Sequence, residues 1–318
     1  MTFYAVSSKM VLKDHRASGG ITMDTIMESV PNFSEGRNQE VVEILANCFR
    51  RSDGVRLLDC SADPDHHRSV FTVVGEPDAL RDAIVLSIGT ALERIDLRKH
   101  QGQHPFMGAA DVIPFIPIRG CGMEDADKTA RETARIIAEK YHLPVFLYEH
   151  SATAKHRENL SDIRRGGFLG MAEKMKDPAW QPDYGPKTIH PTGGVTAVGA
   201  RMPLIAFNIN LDTDQLEIAD KIARLVRFSS GGFPCVKAIG IRLDDRGIVQ
   251  VSMNLTDYTK TGLYTVFEAV RAEAARYGVT VAGSELIGLA PLKALTDFAT
   301  QSLKLERFSV DQVLETRL

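Results

Sequence analysis

The order of hydrophobic periodicities constrains this 318-residue chain more than any single motif does. From Met27 onward, runs of period 2 and period 3.6 follow one another in a regular order. MESVP is a short strand candidate, and Asn38 is placed to cap a helix QEVVEILANCFRR whose Val41, Ile44, Leu45 and Phe49 recur at helical spacing before Gly54. VRLLDC and RSVFTVVG are β-rich runs on either side of a polar turn, Pro77 opens a second helix to about Arg94, and DVIPFIPIRG returns as a strand. That is β-α-β-β-α-β. An extra helix, EDADKTARETARIIAEKYH, and a strand, PVFLYE, follow. The order then recurs: strand MPLIAFNINL, a helix from Thr213 to about Arg227, strands VKAIGIRL and GIVQVSMNL, helix GLYTVFEAVRAEAARY, strand VTVAG and a last helix from Pro291.

Two such units predict an α+β chain of two ferredoxin-like α/β subdomains, each with its helices on one sheet face. The bare face of each sheet needs cover, so the sheets are expected to face one another across a ligand cleft. The stretch from Arg164 to Gly199, rich in Gly, Pro and Asp, reads as the junction. The expected organisation is a flexible N-terminal extension over 1–26, an N-terminal subdomain over 27–180 and a C-terminal subdomain over 181–318.

Composition narrows the function classes. Hydrophobic residues at 44% and charged residues at 25% describe a soluble chain with ample core material. A net charge of −3 and a pI near 6.3 provide no basic field of the kind nucleic-acid binders use, so no nucleic-acid partner is expected. No membrane role is expected either, because no apolar run approaches the roughly 20 residues a bilayer requires. The first residues carry Lys9, Lys13, Asp14 and Arg16 where a signal peptide would be apolar. Cys48, Cys60, Cys121 and Cys235 are dispersed without a CxxC pair, which argues against a zinc ribbon or a disulfide framework and fits a reducing cytoplasm.

Three stretches carry candidate chemistry. In KHQGQHPFMGAADV, His100 and His104 have the i, i+4 spacing of helical zinc sites, but Gly102 and Pro105 argue for a loop and no Glu follows His100. Around SADPDHHRSV, the residues Asp59, Asp63, Asp65, His66, His67 and Arg68 gather at a turn, and both a metal site and a solvated hairpin tip are open readings. GPKTIHPTGGVTAVGAR contains neither GxxxxGK[ST] nor GxGxxG; it suits either a loop whose backbone approaches a flat heterocycle or a plain linker. No GxSxG elbow is present and no cysteine adjoins a histidine. Residue chemistry alone therefore points to general acid/base transfer or hydrolysis by a loop histidine.

VPNFSEGRNQEVVE, KHQGQHPFMGAADVIPFIPIRG, DYGPKTIHPTGGVTAVGARMPLIAFNINL and GSELIGLAPLKAL together resemble the formimidoyltransferase domain of the glutamate formimidoyltransferase family, from about Met27 to Asp297. The cyclodeaminase domain fused behind it in animal bifunctional enzymes is not expected within these 318 residues. The resemblance implies transfer of the formimidoyl group of N-formimidoyl-L-glutamate to N5 of tetrahydrofolate, a co-substrate, in histidine degradation, by a homodimer and with no metal. It implies that His104, the histidine of the family's GxHPxMGAxDV motif, is catalytic. It places folate contacts on Gly185, Pro186, Lys187, Thr188, Ile189, His190, Pro191, Thr192, Gly193 and Gly194, and on Gly231, Gly232, Lys237 and Gly240.

Given that reaction, a readily cationic formimidoyl group calls for a carboxylate nearby, and Asp59, Asp63 and Asp65 are the candidates. Glutamate's carboxylates call for a cation, and Arg68 is suited to a bidentate contact. The chain departs from the animal enzymes at Gln103 and Phe106, where they carry Glu and Arg, and at Thr192 to Gly194, where small residues replace a Trp. Three alternatives stand beside the transfer of a formimidoyl group: a formyl donor or a 5-formyltetrahydrofolate-using homologue, a metal-dependent hydrolase built on Asp63, Asp65, His66 and His67 with His100 as a further ligand, and a folate-binding or partner-binding protein that kept the fold without activity.

Overall fold

The computed structural model describes residues 24–102 and 105–317. The chain divides into two compact units at Arg201/Met202, later than the expected boundary after residue 180. Among the described residues no helix is long and apolar enough to cross a membrane.

The N-terminal unit runs β1 (Ile26–Ser29), β2 (Asn32–Phe33), α1 (Gln39–Arg50), β3 (Val55–Asp63), β4 (Arg68–Gly75), α2 (Pro77–Arg94), β5 (Ala110–Arg119), α3 (Met123–Tyr141), β6 (Val145–Leu147), α4 (Leu160–Arg164), α5 (Gly167–Lys174) and β7 (Thr196–Ala200). β1 therefore starts inside the last residue of the expected extension, the rest of which, to Met23, lies outside the described residues. β1 and β2 each pair antiparallel with β4 on one side and β5 on the other, so they act as one strand interrupted at Pro31. With β3 beyond β4, these strands form the predicted ferredoxin-like sheet.

The sheet then continues past β5 with two parallel strands, β7 and β6. This differs from the expected junction between Arg164 and Gly199, which holds α5 and β7. The sequence TAVGA offers no alternation because all five residues are buried, as in a parallel strand covered on both faces. Pairing of β7 between β5 and β6 is what assigns residues up to Arg201 to this unit.

Local chemistry explains the helices. The Asn38 carboxamide oxygen accepts the amides of Glu40 and Val41 at 3.1 and 3.3 Å and so caps α1. Pro77, with its fixed φ, opens α2. Phe49 of α1 meets Phe71 of β4, which also meets Phe33 edge-on, both pairs at 5.6 Å between ring centroids. α1, α2 and α3 share one core with that sheet face. A second cluster, including Val112, Phe146, Ile163, Met171 and Val195, joins α4 and α5 to the other face at the β5–β7–β6 end.

One polar tie crosses that second cluster. Asp111, 2% exposed on β5, accepts the Met107 amide at 2.8 Å through Oδ1 and pairs through Oδ2 with Arg164 Nη2 of α4 at 2.5 Å. It thereby fixes the start of β5 to the helix beside it.

The C-terminal unit runs β8 (Ile205–Leu211), α6 (Leu216–Val226), β9 (Val236–Leu243), β10 (Ile248–Leu255), α7 (Leu263–Arg276), β11 (Val281–Ile287) and α8 (Leu292–Leu303). Its antiparallel sheet has the order β11-β8-β10-β9, the predicted ferredoxin-like arrangement. Ile205, Phe207, Ile209 and Leu211 of β8 join Val249, Val251, Met253 and Leu255 of β10 in the core with the three helices. Period 2 then turns Asn208, Asn210 and Gln250 to the opposite face, where they are also buried.

Asp111→Ala is expected to strand Arg164 and the Met107 amide, costing about 3 kcal/mol by the usual penalty for half of a buried pair. Urea unfolding should show that loss, and Asp111→Asn, which keeps an acceptor for Met107, should lose less.

Candidate active site

The turn between β3 and β4 is built on Asp63. Its Oδ1 accepts the amides of Asp65 and His66, each at 2.9 Å, and its Oδ2 lies 2.7 Å from His66 Nδ1. Burial alone would raise the Asp63 pKa, but the amide and ring hydrogen bonds of His66 and the Asp65 amide outweigh it and hold the carboxyl below its ordinary range. Asp63 stands opposite Arg68 in the strand register, so the tip brings a carboxylate and a guanidinium to the same rung.

Two further segments pack on this tip. His67 faces Glu35 Oε1 at 3.0 Å through Nε2 and the Gln101 carbonyl at 3.1 Å through Nδ1. Glu35 Oε1 also accepts the amides of Arg37 and Asn38 at 2.8 and 2.9 Å. Burial raises the Glu35 pKa less than these amide bonds and His67 lower it, so the carboxyl is held down. Arg37 Nε donates to Pro64 O at 2.8 Å. The approach is backbone to backbone: a Cβ on Gly36 would lie 2.3 Å from the Asp63 oxygen, and one on Gly102 would lie 2.6 Å from the His66 oxygen.

His100 is the buried half of the histidine pair. It is 9% exposed, stacks on His67 with centroids 4.1 Å apart, and takes the edge of Phe106 at 4.2 Å. Burial, reinforced by His67 and Arg37 against the opposing Glu35, pushes its pKa down to about 4. The ring is neutral at pH 7 and serves as a packing surface. Phe106 is likewise structural, since its carbonyl also accepts the Phe168 amide at 2.8 Å.

The other side of the KHQGQHPFMGAADV stretch is held by the HPTGG turn. His190 and Gly194 exchange amide–carbonyl bonds at 2.9 Å, and His190 Nδ1 accepts the Gly193 amide at 2.9 Å, which puts the proton of the neutral ring on Nε2. Burial lowers the His190 pKa and favours that neutral form. Three backbone bonds then join the segments: Leu97 N–H to Thr192 O at 2.9 Å, Ala109 N–H to Gly193 O at 2.9 Å, and Val195 N–H to Met107 O at 3.0 Å. His104 and Gln103 lie outside the described residues, but the chain on both sides of them is fixed in this way.

The structure thus gathers Asp63, Arg68, the flanks of His104 and the turn from His190 to Gly194. It does not gather all the aspartates: Asp59 is exposed on β3 opposite Thr72, and Asp65 is exposed at the tip. Gly185 has φ +86° beside Leu143, while Lys187, Thr188 and Pro191 are exposed and Pro186 and Ile189 half-buried. In the second unit Gly231 is exposed with φ +90° and Lys237 is exposed on edge strand β9. Gly232 and Gly240 have a packing reason: a Cβ would lie 2.4 Å from Leu225 O and 2.7 Å from Asp220 N, both on α6.

Residue-type reasoning missed Glu35 and Arg37, although a glycine between two charges just before an Asn helix cap was the available signal. Among the described residues no group of three or more His, Cys, Asp or Glu is arranged to hold a metal ion. His66 is committed to Asp63 and His67 to Glu35.

Residues 26–201 match the N-terminal subdomain of the formiminotransferase domain, and residues 206–316 match the formiminotransferase domain that follows it. The chain belongs to the formiminotransferase family. The seam between the two matches falls at the boundary of the two units. Over 297 residues the chain is 50% identical to a glutamate formimidoyltransferase of Streptococcus pyogenes serotype M1, covering 93% of this chain and 99% of that protein. A glutamate formimidoyltransferase of Thermoplasma acidophilum is 41% identical over 92% of this chain and 97% of its own. A formimidoyltransferase-cyclodeaminase of Rattus norvegicus is 42% identical over 87% of this chain but only 52% of that protein, so the chain spans about half of the bifunctional relative. These relatives give the metal-hydrolase alternative no support.

The unfolded chain takes up the His100 proton near 6.5, the ordinary histidine value, whereas the folded chain resists it to about 4. His100 therefore favours folding fully above that ordinary value, and the contribution is lost as pH falls from there toward 4. Urea unfolding across this window should decline more steeply for the native chain than for His100→Phe.

Proposed function

We propose that this chain is a glutamate formimidoyltransferase, moving the formimidoyl group of N-formimidoyl-L-glutamate to N5 of tetrahydrofolate with His104 as the proton carrier. The supporting observation is the two-sided clamp on the segment that bears His104: the Asp63–Arg68 tip with Glu35 on one side, and the turn from His190 to Gly194 on the other. The names of near-full-length relatives agree with it.

In this reading the N5 lone pair attacks the amidine carbon, forming a C–N bond and a tetrahedral intermediate. His104 removes the N5 proton. The bond to the glutamate nitrogen then breaks, and that nitrogen receives a proton from the same imidazole, leaving glutamate and 5-formimidoyltetrahydrofolate. An imidazole suits both transfers because it gives and takes a proton near neutrality.

Asp63 is favoured over Asp59 and Asp65 as the carboxylate that steadies the cationic amidine, since hydrogen bonds keep it ionised. Arg68, on the same rung, takes a glutamate carboxylate. The backbone from Gly185 to Gly194 and the β9 segment with Gly231, Gly232, Lys237 and Gly240 contact the folate. We place the reaction in histidine degradation, in the cytoplasm and in a homodimer; free Cys48, Cys60, Cys121 and Cys235 are compatible with a reducing compartment.

The test is an acid-quenched absorbance assay with tetrahydrofolate and N-formimidoyl-L-glutamate, in which 5-formimidoyl product cyclises to near-ultraviolet-absorbing methenyltetrahydrofolate. Signal is expected from the native chain, and His104→Ala should reduce it by about 10²-fold or more, the usual worth of a general acid/base. A native chain that gives no signal with this donor but does so with N-formylglutamate would overturn the donor assignment; an active His104→Ala would overturn the role of His104.

A further inference from the structure

The reaction scheme gives His67 no task, yet the fold keeps it under strain. Its φ of +51° lies in the left-handed region, which glycine adopts freely and a residue with a Cβ does not. Strain held at one residue points to a use for its side chain. The tip is already turned by Asp63, whose carboxylate takes the Asp65 and His66 amides, so the His67 ring is not needed to shape it. What the ring does is join two other segments to the tip, the one before α1 through Glu35 and the one after α2 through Gln101.

Both of these partners accept. The Gln101 carbonyl oxygen, 3.1 Å from Nδ1, has no proton to give. Glu35 Oε1, 3.0 Å from Nε2, already accepts the Arg37 and Asn38 amides, which marks it as an acceptor oxygen and not a hydroxyl. A neutral imidazole carries one N–H and serves one such partner; the ring that serves both is the imidazolium, with a proton on each nitrogen. The His67 and Glu35 side chains are each 13% exposed, so little water is at hand to replace a lost bond. His100, stacked on His67 at 4.1 Å, is kept neutral first by burial and then by the charge of His67. The other charged groups of the packed segments are Arg37, held on Pro64 O, and on the tip itself the Asp63–His66 pair, Asp65 and Arg68.

We propose that His67, as an imidazolium bridging Glu35 and Gln101, is a positioning residue that latches the segment bearing His104, and that loss of one ring proton releases the latch. The assignment rests on the reading of His104 as the proton carrier. Gln101 lies three residues before His104 in the chain. Gly102 packs so closely on the tip that a Cβ there would lie 2.8 Å from the His67 Cβ, so a change at the ring is felt in this segment. The two histidines then have opposite needs: His104 takes up a proton only when neutral, and His67 bridges only when charged. Turnover therefore rises with pH as His104 loses its proton and falls again as His67 does.

The test follows kcat against pH in the acid-quenched assay for the native full-length chain, His67→Asn and Glu35→Gln, and reads the ring nitrogens of His67 by NMR, the signal being assigned by its loss in His67→Asn. Both nitrogens should carry protons at pH 7 in the native chain, and the falling limb of kcat should coincide with the loss of one of them. Asparagine tolerates the same φ but offers one nitrogen in place of two. His67→Asn should therefore lower kcat about tenfold, change the KM for formimidoylglutamate little, and have no such limb. Glu35→Gln keeps an oxygen for the Arg37 and Asn38 amides but removes the charge that favours the imidazolium, so its falling limb should move to lower pH. It also serves as the second variant if His67→Asn does not fold. An unprotonated ring nitrogen at pH 7 would overturn the assignment whatever the activity. So would a His67→Asn profile that retains the native limb, or a Glu35→Gln limb that does not move, because a merely structural role lowers kcat at every pH alike. A native chain with a doubly protonated ring and no turnover from either donor overturns the transferase reading and the positioning role with it, an outcome that the spectrum separates from a failed latch.

Discussion

The rest of the candidate site depends on the backbone of the segment between Leu97 and Ala110. Apart from one short 3-10 turn it has no regular structure in its described part, so its polar groups must be met by neighbours. They are met from two directions: the Gln101 carbonyl by His67, and the Leu97, Met107 and Ala109 backbone by Thr192, Gly193 and Val195. Glycines at 36, 102 and 194 let these strands of backbone touch, since a Cβ at any of them would lie well inside contact distance of another carbonyl. Residues 101–102 and 107–109, on the two sides of positions 103 and 104, are thus tied to neighbouring segments by backbone hydrogen bonds.

The electrostatics divide the histidines by role. His100 is buried against His67 and Phe106 and stays neutral, which makes it a spacer rather than a base. His66 and His67 each face a carboxylate, and His190 uses Nδ1 to close its own turn. Four of the histidines in the motif stretches are thus occupied by structure.

Much of the fold is legible in the sequence because its signals are local. The Asn38 cap, Pro77 at the start of a helix and the alternation in IAFNINL and IVQVSMNL each act over a few residues, and the structure places those elements as read. β7 was not legible: TAVGA is buried on both faces, so it lacks alternation, and its pairing with β5 and β6 is set by distant residues. The site divides in the same way. His104 and the HPTGG turn stand out as motifs, whereas Glu35 and Arg37 gain meaning only when the chain brings the loop before α1 against a hairpin tip about thirty residues later. Asp59, close to the tip in sequence, is carried away from it by strand geometry.

We propose that the segment between Leu97 and Ala110 delivers His104 to the folate N5. The most direct measurement is a crystal structure of the chain with 5-formyltetrahydrofolate, reading the distance from the His104 imidazole to the N5 substituent. A separation of about 3 Å, or one bridging water, is the predicted result, because proton transfer requires that reach. A ligand bound with N5 more than about 6 Å from His104, beyond direct reach and with no bridging water, would contradict it.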